Sequence, residues 1–233
     1  MSPESEKHTH FKMTEIKRIF IPCYSKRSAI PAVREALKRL ETYSRIGLIT
    51  AAQHLNRLGE IKEFLEHHGK EVVVGGQILG CDQRAAKNIE GEVDCFLYVG
   101  SGRFHPLGVS LLTDKAVIIA NPYSNSADEI SLEEKNRWGK KKRGRISRAL
   151  DAEIFGILIS TKTGQFNLTG AIELKERLEK LGKKAFLFAG DEISPDNILP
   201  FKVDAWINTA CPRIVDDHFK KPILNPDELD LIL

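Results

Sequence analysis

Cys81 and Cys211 are the residues around which chemistry can be built. Each stands in a short turn just after an apolar run: Cys81 closes Gly75-Gly-Gln-Ile-Leu-Gly-Cys81, and Cys211 lies in Thr209-Ala-Cys211-Pro-Arg213. Gly80 lets backbone approach a bound group closely, and Pro212 removes a backbone donor and stiffens its turn. A thiolate in such a place is a metal ligand or a nucleophile; a thiol there is also, quite often, a small packing residue. Cys23, beside Pro22 and followed by Lys26 and Arg27, is a third candidate ligand. Cys95 sits inside the apolar run Cys95-Phe-Leu-Tyr-Val99 and reads as core. Closed zinc sites take four ligands, often as close CxxC pairs. No such pair occurs, and dispersed single cysteines suit an iron–sulfur cluster with one open iron better. A zinc site completed by histidine stays open as the other choice.

Between the two cysteines lies Val99-Gly-Ser-Gly-Arg-Phe-His-Pro-Leu-Gly108. Its spacing is neither the dinucleotide fingerprint nor a Walker A loop. Gly100, Ser101 and Gly102 permit close backbone approach, and free amides at a helix start favour an anion such as a carboxylate. His105 and Pro106 open that helix, His105 as a polar contact or a packing residue. Thr161-Lys-Thr-Gly-Gln165 offers Lys162 and Gln165 for a carboxylate, an amine or a ribose hydroxyl; a solvated loop is the plainer reading. Arg213 has the fork that matches a carboxylate bidentately. The run Lys140-Lys-Lys-Arg-Gly-Arg145 is a solvated helix face or a docking site for an acidic partner, and no aromatic platform for nucleic acid accompanies it. No GxSxG nucleophile elbow occurs.

These turns must be positioned by strands. Arg18-Ile-Phe-Ile-Pro22, Ile46–Thr50, Glu71–Val74, Cys95–Val99 and Ala116–Ala120 are short apolar runs without alternation. Such runs suit parallel strands covered on both faces. Helical spacing predicts helices from Ser28 to about Leu40, through Leu55, Leu58, Ile61 and Leu65, over Gln83–Ile89, and from the capping pair Ser131/Glu134 to about Leu150. Strand Ile154–Ile159, helix Leu168–Leu181 and strands Ala185–Phe188 and Ala205–Asn208 follow, with a closing helix after Pro226. The fold class expected is α/β: two consecutive Rossmann-like three-layer units with mainly parallel sheets, over 16–150 and 151–233, after a disordered leader 1–15. Cys23, Cys81, the 100–108 loop, the 160–165 loop and Cys211 all fall at carboxyl ends of strands, where such sheets bind ligands.

The 233 residues suffice for a real core, and 42% hydrophobic residues are ordinary for a globular protein. A net charge of +3 argues against a dedicated nucleic-acid binder. No apolar stretch reaches the roughly 18 residues of a membrane helix, and residues 1–12 lack the apolar segment of a secretory signal. A cytoplasmic location is the default, and four cysteines without a secretion signal are thiols or metal ligands rather than disulfides.

From about Lys17 to Leu229 the chain resembles the diphthamide-synthesis family, most of all its archaeal homodimeric radical enzymes. The resemblance rests on Thr50-Ala-Ala-Gln-His54, Gly76–Cys81, Val99–Gly108, Asn121-Pro-Tyr123, Thr163-Gly-Gln165 and Ala210-Cys-Pro-Arg213. It implies three α/β domains around one 4Fe–4S cluster, each giving one cysteine, with S-adenosylmethionine at the open iron. Cleavage of the Cγ–S bond would release methylthioadenosine and a 3-amino-3-carboxypropyl radical for a histidine of translation elongation factor 2, the first step of diphthamide formation. Cys81 and Cys211 match the cluster ligands of the middle and last domains. Gly100, Ser101, Gly102, His105, Pro106, Gln165 and Arg213 match pocket positions. The family's first domain has no counterpart here, so the expectation is a shortened form in which Cys23, or another subunit, supplies the third thiolate. A homodimer or a heteromer is expected. The other functions open to it are a non-catalytic partner subunit of a longer homologue and a zinc-binding module.

Overall fold

The computed structural model describes Ile19 and residues 21–233. The expected leader 1–15 lies outside the described residues. The strand expected over 18–22 lies partly outside them, and its described part is not a strand: Ile19 and Ile21 are largely exposed, at 81% and 79%. Among the described residues no strand pairs with this segment, and Ile19 and Ile21 stay on the surface.

The first sheet has the order β2-β1-β3-β4-β5. Its strands are β1 (Arg45–Thr50), β2 (Glu71–Gln77), β3 (Cys95–Val99), β4 (Ala116–Asn121) and β5 (Ser126–Glu129). The first four run parallel, and β5 pairs antiparallel with β4. Both faces are covered, which is why the runs do not alternate. On one face Ile46, Leu48, Cys95, Leu97 and Val99 pack under α1 (Ile30–Ala36) and α2 (Leu58–His67). On the other, Ile49, Phe96 and Tyr98 pack under α3 (Arg84–Ile89) and α4 (Phe104–Leu112). Cys95 is fully buried, and burial pushes its thiol up to about 12, which removes it from thiolate chemistry.

The second sheet has the order β7-β6-β8-β9, all parallel. It comprises β6 (Ile154–Ser160), β7 (Lys184–Gly190), β8 (Ala205–Asn208) and the short β9 (Ile223–Leu224). Phe155, Ile157, Ile159 and Ile207 pack against Ala171 and Leu178 of α6 (Leu168–Lys180) and Leu229 of α8 (Pro226–Leu229). Leu158 and Trp206 pack on the other face with Ile198 of α7 (Pro195–Ile198).

Helix α5 (Leu132–Ala149) joins the two sheets. Ser131 caps it, its hydroxyl accepting from the Glu134 amide. The reciprocal half of the expected capping box does not form, because the Glu134 carboxylate is taken by Arg103. Trp138 packs against the first core, while Ile146 and Ala149 belong to the second. Arg145 and Lys142, drawn from the basic run, pair with Glu228 and Asp227 at α8. Two residues of that run thus clamp the units together. No helix among the described residues is long and apolar enough to cross a membrane.

Candidate functional site: a cleft with two cysteines

Strand β2 passes a bulge at Gly75 and runs into a tight turn that carries Cys81. The turn is closed by Leu79 and Asp82, whose amides each donate to the other's carbonyl, at 2.8 and 3.1 Å. Gln83 secures it from below: its Nε2 donates to the carbonyls of Gly80 at 2.7 Å and Leu79 at 3.2 Å. Asp82 is held by Arg84, whose side-chain hydrogen bonds depress the Asp82 carboxyl to about 2. Cys81 at the tip is exposed.

The loop after β3 reaches the same place. Gly102 has φ +75°, a conformation that a side chain resists. Gly100 is buried, its amide donating to Ala120, and a Cβ there would lie 2.5 Å from the Tyr98 hydroxyl. Arg103 ties the loop down by donating to Glu134 at 2.9 and 2.6 Å, to the Glu129 carbonyl at 2.8 Å and to Asp128. Phe104 then presses against the Cys81 turn so closely that a Cβ on Gly80 would sit 1.8 Å from its ring. His105 stacks on Tyr98 with centroids 6.1 Å apart. Burial first, and Arg213 second, push its imidazole below the usual range, so it is neutral near pH 7.

The third wall comes from the second sheet. At the end of β8, the buried Asn208 donates from Nδ2 to the Cys211 carbonyl and to Asn225 Oδ1, each at 2.9 Å, and accepts from the Ala210 amide. Cys211 caps the short helical turn 212–216 and is half-buried. Arg213 crosses to the first unit, its guanidinium 5.0 Å from the Phe104 ring centroid.

Cys81, Cys211, Ser101, Gly102, His105 and Arg213 therefore line one cleft, of about 510 Å³, together with Leu79, Gly80, Arg103 and Phe104. Gly100 and Pro106 lie behind its wall, both buried. Gln165, in the loop after β6, is not among the lining residues, and neither is Cys23. Cys23 is exposed, and no group of three His, Cys, Asp or Glu side chains able to hold a metal occurs among the described residues. Cys23 stands in a stretch, residues 21–26, without regular structure, rather than at the end of a strand as expected.

Among the described residues no carboxylate lines the cleft, and the two arginines that do line it differ. Arg103 is already neutralised by Asp128 and Glu134. Arg213 rests on an aromatic face and keeps its charge for a ligand. A cleft with two cysteine sulfurs and no carboxylate suits a soft metal or cluster better than magnesium or calcium. Composition and spacing did not single out Arg103, Phe104, Gln83 or Asn208. The signal present in the sequence was only that Arg103 and Phe104 interrupt a glycine loop.

A family model of diphthamide synthesis proteins matches residues 6–233. The chain is 35% identical to a 2-(3-amino-3-carboxypropyl)histidine synthase of Pyrococcus horikoshii, over 97% of this chain and 68% of that protein. It is 39% identical to the enzyme of the same name from Methanocaldococcus jannaschii, over 76% of this chain and 56% of that protein. The crystal structure of Dph2 from Pyrococcus horikoshii superposes with a TM-score of 0.81 at 33% identity, covering 90% of this chain and 63% of that one. The structure of the same protein with a 4Fe–4S cluster gives 0.80. The chain thus spans between about half and two thirds of the length of these relatives.

Proposed function

The chain belongs to the diphthamide-synthesis family, and from that premise we propose that it is an iron–sulfur enzyme acting on S-adenosylmethionine in the cytoplasm. The reaction is cleavage of the Cγ–S bond to methylthioadenosine and a 3-amino-3-carboxypropyl group, which is transferred to a histidine of translation elongation factor 2. The observation that supports this reading most is the meeting of Cys81 and Cys211, from two different sheets, in one cleft with the 101–105 loop and Arg213.

The residues present fit a 4Fe–4S cluster as a partial ligand set. Cys81 and Cys211 would hold it, in a cleft free of carboxylates and open enough to admit it. When bound, the cluster supplies an electron and a Lewis-acidic iron. The chain's own residues bind and orient. Arg213 pairs with the substrate carboxylate through its fork. Ser101 and Gly102 offer a wall without bulk, against which the substrate backbone atoms lie. Neutral His105 offers a donor or acceptor without adding charge. Arg103 takes no part in binding; through Asp128 and Glu134 it fixes the loop that does. Among the described residues only two cysteines line the cleft, so a third thiolate has to be brought to it.

A second reading is favoured by that same count: a partner subunit that lends two ligands to a longer homologue. Anaerobic iron and sulfide reconstitution separates them. The chain alone should bind iron through Cys81 and Cys211, lose it in Cys81→Ala and Cys211→Ala, keep it in Cys95→Ala, and release methylthioadenosine from S-adenosylmethionine. Iron binding that depends on both cysteines, with product formed only after a longer homologue is added, selects the partner subunit. No iron, or iron indifferent to both substitutions, removes the cluster reading.

A further inference from the structure

The cations of α5 divide between two roles. Lys142 and Arg145 turn inward to α8. Arg137, Lys141 and Arg148 are exposed, and among the described residues none of them pairs with a carboxylate. Arg148 gives an N–H to the Lys220 carbonyl and keeps its charge. At about 3.6 residues per turn, these three side chains form one stripe along the helix. Lys140 and Arg143, equally exposed, stand about 80° and about 140° round the helix from that stripe.

The stripe borders the cysteine cleft. Arg103, which lines the cleft, also walls a neighbouring hollow of about 310 Å³ with Glu134, Arg137, Trp138 and Lys141. Arg103 and Glu134 cancel each other there, so the hollow keeps the charges of Arg137 and Lys141 beside the half-buried Trp138. A second link runs through Asp216. Burial raises its carboxyl above the usual range, and Arg145, Lys141 and Arg213 pull it back down. Lys141 of the stripe and Arg213 of the cleft thus act on one carboxyl.

We propose that the Arg137, Lys141 and Arg148 stripe is the docking strip for the protein that receives the transferred group: an acidic surface of elongation factor 2 lies along α5 while its histidine enters the cleft. This rests on the reading of the cleft as the place of transfer. A protein whose side chain reacts there must cover the mouth. A specific contact between two proteins takes about 800 Å² from each, more than the mouth of one small cleft supplies, so the contact must run onto the flanks. One flank is this stripe. Its cations find no carboxylate within the chain, so their complement is brought by the visitor. Exposed charges beside a contact act mainly on the encounter, through the field that they present, and less on the lifetime of the complex.

The test measures association of the full chain with purified elongation factor 2 by biolayer interferometry, before and after anaerobic iron and sulfide reconstitution, at low and high salt. The parent should bind, and more weakly as salt rises. Arg137→Glu with Lys141→Glu should weaken binding about tenfold or more, chiefly through slower association. Lys140→Glu with Arg143→Glu alters the net charge equally and should weaken it by less than about threefold. Circular dichroism checks folding, and Arg137→Ala with Lys141→Ala, expected to weaken binding about threefold or more, serves if the reversed pair misfolds. Equal losses for the two reversed pairs would reduce the effect to net charge and overturn the strip. A parent that does not bind elongation factor 2 overturns it too, as do stripe variants that lose only RNA or a longer homologue. Docking without iron leaves the strip standing and removes the cluster reading; iron without docking does the reverse.

Discussion

The guanidinium of Arg213 rests over the ring of Phe104, 5.0 Å from its centroid, so the turn after β8 leans on the loop after β3. The same ring lies against Gly80, where a Cβ would approach to 1.8 Å. Three segments that carry the cleft therefore share one side chain. Gly80→Ala must push Phe104 aside, and overpacking of this kind costs about 1–3 kcal/mol. Phe104→Ala in the same chain should recover part of that loss. A double-mutant cycle by urea unfolding should return a coupling of about 0.5–3 kcal/mol. Strictly additive effects would show that the ring is not the common contact.

Arg145 and Glu228 hold α5 to α8, with side chains only 12% and 2% exposed. Glu228 also accepts from the Asn225 amide and lies 3.7 Å from Lys142. Removing one partner strands the other's charge in a dry place, at a cost of about 3–5 kcal/mol. Glu228→Ala should therefore lower the unfolding free energy by that amount, whereas Asp227→Ala, whose carboxylate is 69% exposed, should change it by less than about 1 kcal/mol. Equal effects for the two would refute the clamp.

Much of the framework was legible because parallel strands covered on both faces leave unbroken apolar runs. Ile46–Thr50, Cys95–Val99 and Ala116–Ala120 need no partner to be recognised. β5, built from Ser-Ala-Asp-Glu, carries no such run, and β9 has 2 residues, so neither announces itself. The converse failure is 18–22: an apolar run whose described residues find no neighbouring strand. In the site, glycine and cysteine turns at strand ends are local features and can be read. What fixes them is not local. Arg103 finds Asp128 and Glu134 from 25 and 31 residues away, and Asn208 finds Asn225 from 17. Spacing along the chain carries no trace of those pairings.

His54 is 1% exposed in the helical turn Ala52–Arg57 that follows β1, edge-on to Tyr123 at 5.8 Å, and its Nδ1 has no hydrogen-bond partner among the described residues. Burial first, and Arg57 second, push its imidazole below the usual 6.5; Arg27, over the Tyr123 ring, adds a further cation nearby. A base with a depressed folded-state pKa binds fewer protons in the native state than in the unfolded one. Stability is thus full above the unfolded value and falls as pH drops below about 6.5. His54→Phe removes the titration and the unpaired nitrogen together. The variant's stability should decline less steeply than the parent's between about pH 6.5 and 5, the remaining slope coming from His105, whose imidazole is also pushed down. Parallel denaturation curves for the two proteins across that window would remove His54 as the cause.

Asn208 decides where Cys211 stands. It is 1% exposed, and three hydrogen bonds converge on its amide, from Nδ2 to the Cys211 carbonyl and Asn225, and from the Ala210 amide to Oδ1. Alanine strands the half-buried Ala210 amide, at about 1–3 kcal/mol, and removes one of the two bonds received by the Cys211 carbonyl, which keeps the Ile214 amide, and by Asn225, which keeps that of Glu228. Aspartate keeps the acceptor for Ala210 but loses both donated bonds and puts a carboxylate beside the Cys211 carbonyl. Aspartate should therefore be at least as damaging as alanine, although it is nearly isosteric. The effect should also reach the metal. If Asn208 positions Cys211, Asn208→Ala should retain less iron after anaerobic reconstitution than Asn121→Ala, whose side chain serves only the Tyr123 amide. Iron binding should weaken without the complete loss expected of Cys211→Ala, and the paramagnetic resonance of the reduced cluster should broaden. Full iron content and an unaltered signal in a folded Asn208→Ala protein would mean that the turn holds Cys211 without help.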